Sequence, residues 1–182
     1  MRTRNGTPHG RLLVLIGALS GCATAPTSAG GRQELKESVA HALTEMEAED
    51  PGLHPFLERS HGYVVFANVG KGAWIVGGGY GRGIVYRRGA PIGYADITQA
   101  TLGLQFGGQA FREVLAFESE GDLERFTAGR LSLTANASAV ILKSGAAAST
   151  RYTDGVAVFV KPIGGAMLEA AVGGQQFSYE PQ

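Results

Sequence analysis

A single cysteine, Cys22, stands in a chain of 182 residues. No internal disulfide can staple the fold, so its core must hold by packing. Charge is also scarce: 16 basic and 16 acidic residues give a formal net charge of zero, which excludes the strongly basic surface of a nucleic-acid binder. No apolar run reaches the roughly 18 to 20 residues that cross a bilayer as a helix. Motifs for chemistry are equally sparse. Gly77 to Gly83 is dense in glycine but lacks the Gly-x-Gly-x-x-Gly spacing, and no Gly-Lys-Ser/Thr follows a strand. A Gly-x-Ser-x-Gly nucleophile elbow is missing too.

What is present at the start of the chain is an export pattern. Arg2, Arg4 and Arg11 precede a short apolar run, Leu12 to Leu19, and small residues follow at Ser20-Gly21-Cys22. Positive end, short apolar run and small-residue cleavage site make a secretory signal. Leu19-Ser20-Gly21-Cys22 also resembles the lipobox of bacterial lipoproteins. That resemblance implies cleavage after residue 21 and acylation of Cys22 with palmitate-type chains, leaving no free thiol for catalysis. Ala23 in the next position, by the same resemblance, favours the outer membrane, facing the periplasm. Removing residues 1–21 takes three of the 16 basic residues, leaving 13 against 16 acidic and a net charge near −3. The expected organisation is a signal peptide at 1–21, a flexible tether at 22–31 and one folded domain at 32–182.

Glycine, with 28 residues, is interleaved with Val, Ile, Leu, Phe and Tyr, a mixture that suggests a tightly bent sheet. Leu35, Val39, Leu43 and Met46 recur at near-helical spacing and predict a helix over 33–49, ended by Pro51-Gly52. Its acidic residues crowd its C-terminal end, against the helix dipole, so it must rely on docking or insert its apolar stripe into a bilayer. Residues 55–60 add a turn of helix. Strands are predicted at 63–66, 73–79, 84–86, 100–107, 110–117, 139–143, 156–160 and 167–172, with turns at 69–72 and 87–91. Ser119 caps a second helix that Gly129 stops. Val156, Val158 and Val160 face one way, Ala157 and Phe159 the other, so this strand is either covered on both sides or in contact with lipid. Two segments ending in Gly-Gly-Gln, 102–109 and 168–175, echo each other.

Few side chains suggest chemistry. Glu37, His41 and Glu45 share a helix face, best read as solvated; His54 and His61 lack a partner at metal-ligand spacing. No catalytic constellation emerges, and the expectation is a non-enzymatic protein without metal or cofactor. Basic residues near turns remain as contacts for lipid phosphate: Arg32, Lys36, Lys71, Arg82, Arg87 and Arg88, with Lys143 and Lys161 further along. Tyr86 beside the paired arginines suits a bilayer interface.

The order of Gly62-Tyr-Val-Val-Phe-Ala-Asn-Val-Gly-Lys-Gly72, Gly77 to Val85, Gly103 to Gln109, Gly155-Val-Ala-Val-Phe159 and Gly165 to Gly174 resembles the SYLF domain, from about Leu35 to Tyr179. The resemblance implies an α+β fold with a curved, barrel-like, mainly antiparallel sheet, an N-terminal amphipathic helix and a second short helix. It further implies phospholipid binding, which in eukaryotic members favours phosphoinositides, and actin binding in yeast relatives. Here the first helix is mostly acidic and the compartment extracytoplasmic, so only lipid binding as a class carries over, and actin does not. The alternative is a structural or protein-interaction module of the envelope, held there by its acyl chains alone.

Overall fold

A computed structural model describes residues 26, 28–70, 78–100, 110–133, 139–163 and 174–182. Cys22, Lys71, residues 73–77 of the strand expected at 73–79, residues 101–107 of that expected at 100–107, the strand expected at 167–172, and most of both Gly-Gly-Gln segments lie outside them.

Helix α1 (Ala29–Glu49) begins where Ser28 accepts the Gly31 N–H at 3.0 Å, a cap bond contributing about 1 kcal/mol. It therefore takes in residues 29–31, which the sequence reading gave to the tether. Val39, Ala42 and Met46 are buried and Leu35 and Leu43 half-buried. The apolar stripe packs on protein. After Asp50 the chain turns into α2 (Leu53–Arg59), buries Leu53, Phe56 and Leu57, and enters the sheet.

The strands are β1 (Gly62–Gly70), β2 (Gly78–Arg87), β3 (Ala90–Ala100) and β4 (Ala110–Phe117), then β5 (Ser132–Leu133), β6 (Ala139–Ile141), β7 (Val156–Ile163) and β8 (Gln175–Pro181). Helix α3 (Glu120–Thr127) precedes β5, and α4 (Ala146–Ser149) lies between β6 and β7. The sheet order is β5-β8-β3-β2-β1-β4-β7-β6, antiparallel except for β6 against β7. The protein is thus α+β, with a curled half-barrel sheet.

The curl can be read from contacts. Three strands separate β4 from β8 in the order, yet Gln175 Nε2 donates to Glu113 Oε2 across 2.9 Å, and the Phe66 and Phe177 rings meet 6.0 Å apart. Glycine permits so tight a bend. A Cβ on Gly83 would lie 2.5 Å from the Val65 carbonyl, and one on Gly93 would lie 2.5 Å from both the Glu180 carbonyl and the Tyr179 ring, so only a residue without a side chain fits. A bulge between Phe66 and Asn68 shifts the side-chain phase and returns Val69 to the inner core beside Phe66.

Two cores result. Inside the curl, Val64, Phe66, Val85, Ile97, Leu115 and Phe117 pack with Leu123 and Phe126 of α3, whose capping box joins Ser119 and Asp122 and whose end is marked by Gly129 at φ 66°. Outside it, Val65, Ile84, Val114, Ala116 and Phe159 lie beneath α1 and α2. Val158 joins the first core and Phe159 the second, so β7 is covered on both sides by protein. Among the described residues, the two cores run from Val39 to Phe177, with partners at Leu35 and Tyr179.

Two buried acids carry opposite consequences. Asp50 caps α1 and is 1% exposed; its carboxylate accepts N–H groups from Ala147 at 2.6 Å, Gly52 at 2.9 Å and Gly145 at 3.2 Å. Burial alone would raise its pKa, but the backbone donors prevail and hold it below the usual carboxylate range. Glu113 is fully buried, and burial pushes it up to about 8 against the lowering effect of the Gln175 hydrogen bond. Among the described residues, Glu113 Oε1 and Gln175 Oε1 find no hydrogen-bond partner; a neutral acid carries a proton that one of these acceptors can take.

Asp50→Ala is expected to destabilise by about 2–4 kcal/mol at pH 7, since it leaves buried N–H groups unpaired. Asp50 contributes its stability above its unfolded pKa near 3.8, and that contribution fades as pH falls through the lower folded value. Urea unfolding at pH 7 and pH 3 should therefore show a mutational loss that shrinks in acid. Glu113 runs the other way. Between its ordinary value of 4.5 and about 8, the folded state keeps a proton the unfolded chain has released, so rising pH costs up to about 1.4 kcal/mol per unit. Glu113→Gln should raise stability at pH 8, change little at pH 4, and flatten the slope between them; an unchanged slope would show that Glu113 ionises in the fold.

Candidate functional site

Strand register assembles the site at one end of the sheet. Gly62 faces Phe117 on one side and Arg87 on the other. Its predecessor His61 therefore emerges between Glu118, leaving β4, and Arg88, leaving β2. Two backbone bonds fix the row: His61 N–H donates to the Phe117 carbonyl at 2.9 Å and Arg88 N–H to the His61 carbonyl at 3.3 Å. Arg88 and Gly89 form a two-residue hairpin turn with φ of 49° and 78°, a type I′ geometry that Asn or Gly adopts more readily than arginine.

Beneath this row lies a cavity of about 660 Å³, bounded by α1, α2 and the ends of β1 and β2, with His54, Arg59, His61, Tyr63, Arg88 and Glu118 in its lining. Tyr63 stacks on Tyr86, ring centroids 4.9 Å apart and 19° between planes. Burial, with the neighbouring Tyr86 and Glu47 adding to it, pushes Tyr63 up to about 12, and burial raises Tyr86 as well, so both phenols stay neutral. His54 sits between two carboxylates, Nδ1 3.0 Å from Glu47 and Nε2 3.5 Å from Glu58; the Glu47 hydrogen bond leads in raising its pKa. Arg59 stands 6.0 Å from the Phe56 ring centre. Among the described residues, Arg88 and Glu118 form no ion pair or side-chain hydrogen bond, and Glu118 acts on Tyr152 through its charge alone, raising that phenol.

The lipid-contact candidates separate into groups. Tyr86, Arg87 and Arg88 come together at the hairpin, with both arginines exposed. Arg82, roughly 20 Å back along β2, is engaged elsewhere: its Nε donates to the Tyr80 hydroxyl at 2.7 Å and lies 3.8 Å from Asp96. Arg32 turns back to the Pro26 carbonyl at 3.1 Å. Lys36 is exposed on α1, two turns before the cavity-lining Leu43 and so about 10 Å from it along the helix. Lys161 binds Glu49 at 2.7 Å. Lys143 is exposed and lines a different cavity.

Sequence reasoning missed several groups. The partners of His54 come from α1 and from its own helix, and only the Glu58 partner, at i+4, was visible as a spacing. Asp96, raised to about 6 by burial, lies in β3, a segment whose Pro91, Gly93 and Asp96 mask its strand character. Glu37 accepts from Gln33 at 2.7 Å, and Glu45 reaches Arg112 while staying 3.9 Å from exposed His41, so this solvated face keeps a Glu–His pair. Among the described residues, no three His, Cys, Asp or Glu side chains converge on a metal position, and no helix is long and apolar enough to cross a membrane.

No family model matches the sequence. The chain is similar to beta cell expansion factor A of Aeromonas veronii, at 24% identity over 137 residues. The match covers 75% of this chain and 52% of that protein, so the chain spans about half the length of that curated relative.

Proposed function

We propose that this protein is a non-enzymatic envelope lipoprotein, anchored by acylated Cys22 in the outer membrane, whose SYLF-like domain contacts phospholipid head groups. The observation that carries this reading is the hairpin end. Exposed Arg88 lines a cavity together with Tyr63, which stacks on Tyr86, and exposed Arg87 precedes Arg88 on the same hairpin; cations next to neutral aromatic rings suit a bilayer interface. Each acyl CH₂ buried adds about 0.8 kcal/mol, so the chains on Cys22 would hold the protein at the membrane almost permanently. The domain's own contacts then need only be modest, in keeping with its slightly acidic balance. Arg32 and Arg82, already engaged within the fold, drop to secondary roles; Arg87 and Arg88 carry the contact.

Labelling cells with radioactive palmitate should mark the native protein and leave Cys22→Ser unlabelled; label on the variant would remove the anchor from this reading. Vesicle flotation of the unacylated chain from Ala23 onward tests the domain. It should float with phospholipid vesicles at low salt, and Arg87→Glu with Arg88→Glu should weaken flotation roughly thirtyfold or more, at about 1 kcal/mol for each cation near the surface. A chain indifferent to every vesicle, or to the charge reversal, would leave an interaction module tethered by its acyl chains.

A further inference from the structure

We propose that the cavity beside Arg88 is a binding site for a zwitterionic head group in which a phosphate and a primary ammonium are joined by a short linker: the ethanolamine phosphate of a phospholipid. This rests on the lipid-contact reading and adds what that reading lacks, a chemical preference.

Two opposite charges in the cavity lining do not meet. Arg88 and Glu118 both line the cavity, both are exposed, and neither forms an ion pair among the described residues. Register explains why. They leave the two strands that flank β1, so their backbones stand about 10 Å apart. His61 lies between them, its own nearest acid being Glu120 at 4.0 Å. A fixed cation and a fixed anion facing one cavity across that gap are complementary to a ligand that carries both signs.

Other features of the site agree. The arginine fork suits phosphate, and Arg59 lies on the same wall. Arg88 is held at φ 49°, a left-handed conformation that an arginine rarely adopts, and it lines the cavity from that position in the turn. Glu47 and Glu58 are already shared with His54, so Glu118 is the carboxylate left for an ammonium. Three carboxylates in one lining disfavour a purely anionic head group, which would gain from the arginines and lose to the acids.

The test uses the full acylated chain in detergent micelles, titrated calorimetrically with glycerophosphoethanolamine, glycerophosphocholine and glycerophosphoglycerol. The ethanolamine compound should bind at least tenfold more tightly than the glycerol compound. The choline compound should fall between them, because its trimethylated nitrogen donates no hydrogen bond to Glu118. Arg88→Glu and Glu118→Lys should each lower ethanolamine binding at least tenfold, and the two together, which exchange the charges, should recover part of it; their thermal melts should match the parent. Equal or tighter binding of the glycerol compound, in a protein that still floats with vesicles, overturns this proposal alone. Failure to float with any vesicle sinks the lipid-contact reading as well. The lipid source is read by mass spectrometry of lipid co-purifying with the full chain. Phosphatidylethanolamine enriched over phosphatidylglycerol relative to the membrane extract supports it, whereas binding of free phosphoethanolamine without that enrichment assigns the site to a soluble ligand and overturns it.

Discussion

The Asp50 carboxylate is the contact on which the arrangement of layers depends. It ends α1, orders the turn into α2 through Gly52, and reaches 97 residues along the chain to the Ala147 N–H. One buried anion thus fixes the helical layer to the segment that joins β6 to β7. Such a group is stable only when its donors are supplied by fixed backbone, because side-chain donors would lose freedom on binding it. The acidic end of α1 follows the same logic. Its charges oppose the helix dipole, and the sheet answers with Arg112 to Glu45 and Lys161 to Glu49. Lys161, which the sequence offered as a contact for lipid phosphate, is instead spent with Arg112 on holding the helix down.

Curling of the sheet is the second constraint, and its centre is Glu113. An ionisable group in a dry interior keeps its charge only with strong partners; burial raises Glu113 more than the Gln175 amide lowers it, so the acid holds its proton at neutral pH. The pair spans β4 and β8, which meet only because the sheet bends through β1, β2 and β3. Apolar packing of Phe66, Phe126 and Phe177 supplies most of the driving force, and glycine at 83 and 93 removes the side chains that would hold neighbouring strands apart.

Both constraints converge on the cavity. Asp50 sets where α2 lies, the sheet register sets where β1, β2 and β4 end, and the space between them is the candidate site. Its rim carries both signs of charge, which suits a chain whose acidic and basic residues nearly balance.

Local signals were legible in the residues themselves. Leu35, Val39, Leu43 and Met46 announced α1, Ser119 and Gly129 bounded α3, and the alternation at 156–160 gave a strand apolar on both faces, because each pattern lies within one element. Strand β8 carried its own alternation, Gln175, Phe177 and Tyr179 on one side, but two polar members hid it; β3 was hidden by Pro91, Gly93 and Asp96. Which strands are neighbours, that Glu113 meets Gln175, that Arg82 is hydrogen-bonded to Tyr80, and that Arg88, His61 and Glu118 share one edge were decided by the tertiary structure alone. Those outcomes depend on hydrogen-bond register between segments tens of residues apart, and register is settled by the whole curled sheet burying its apolar faces together.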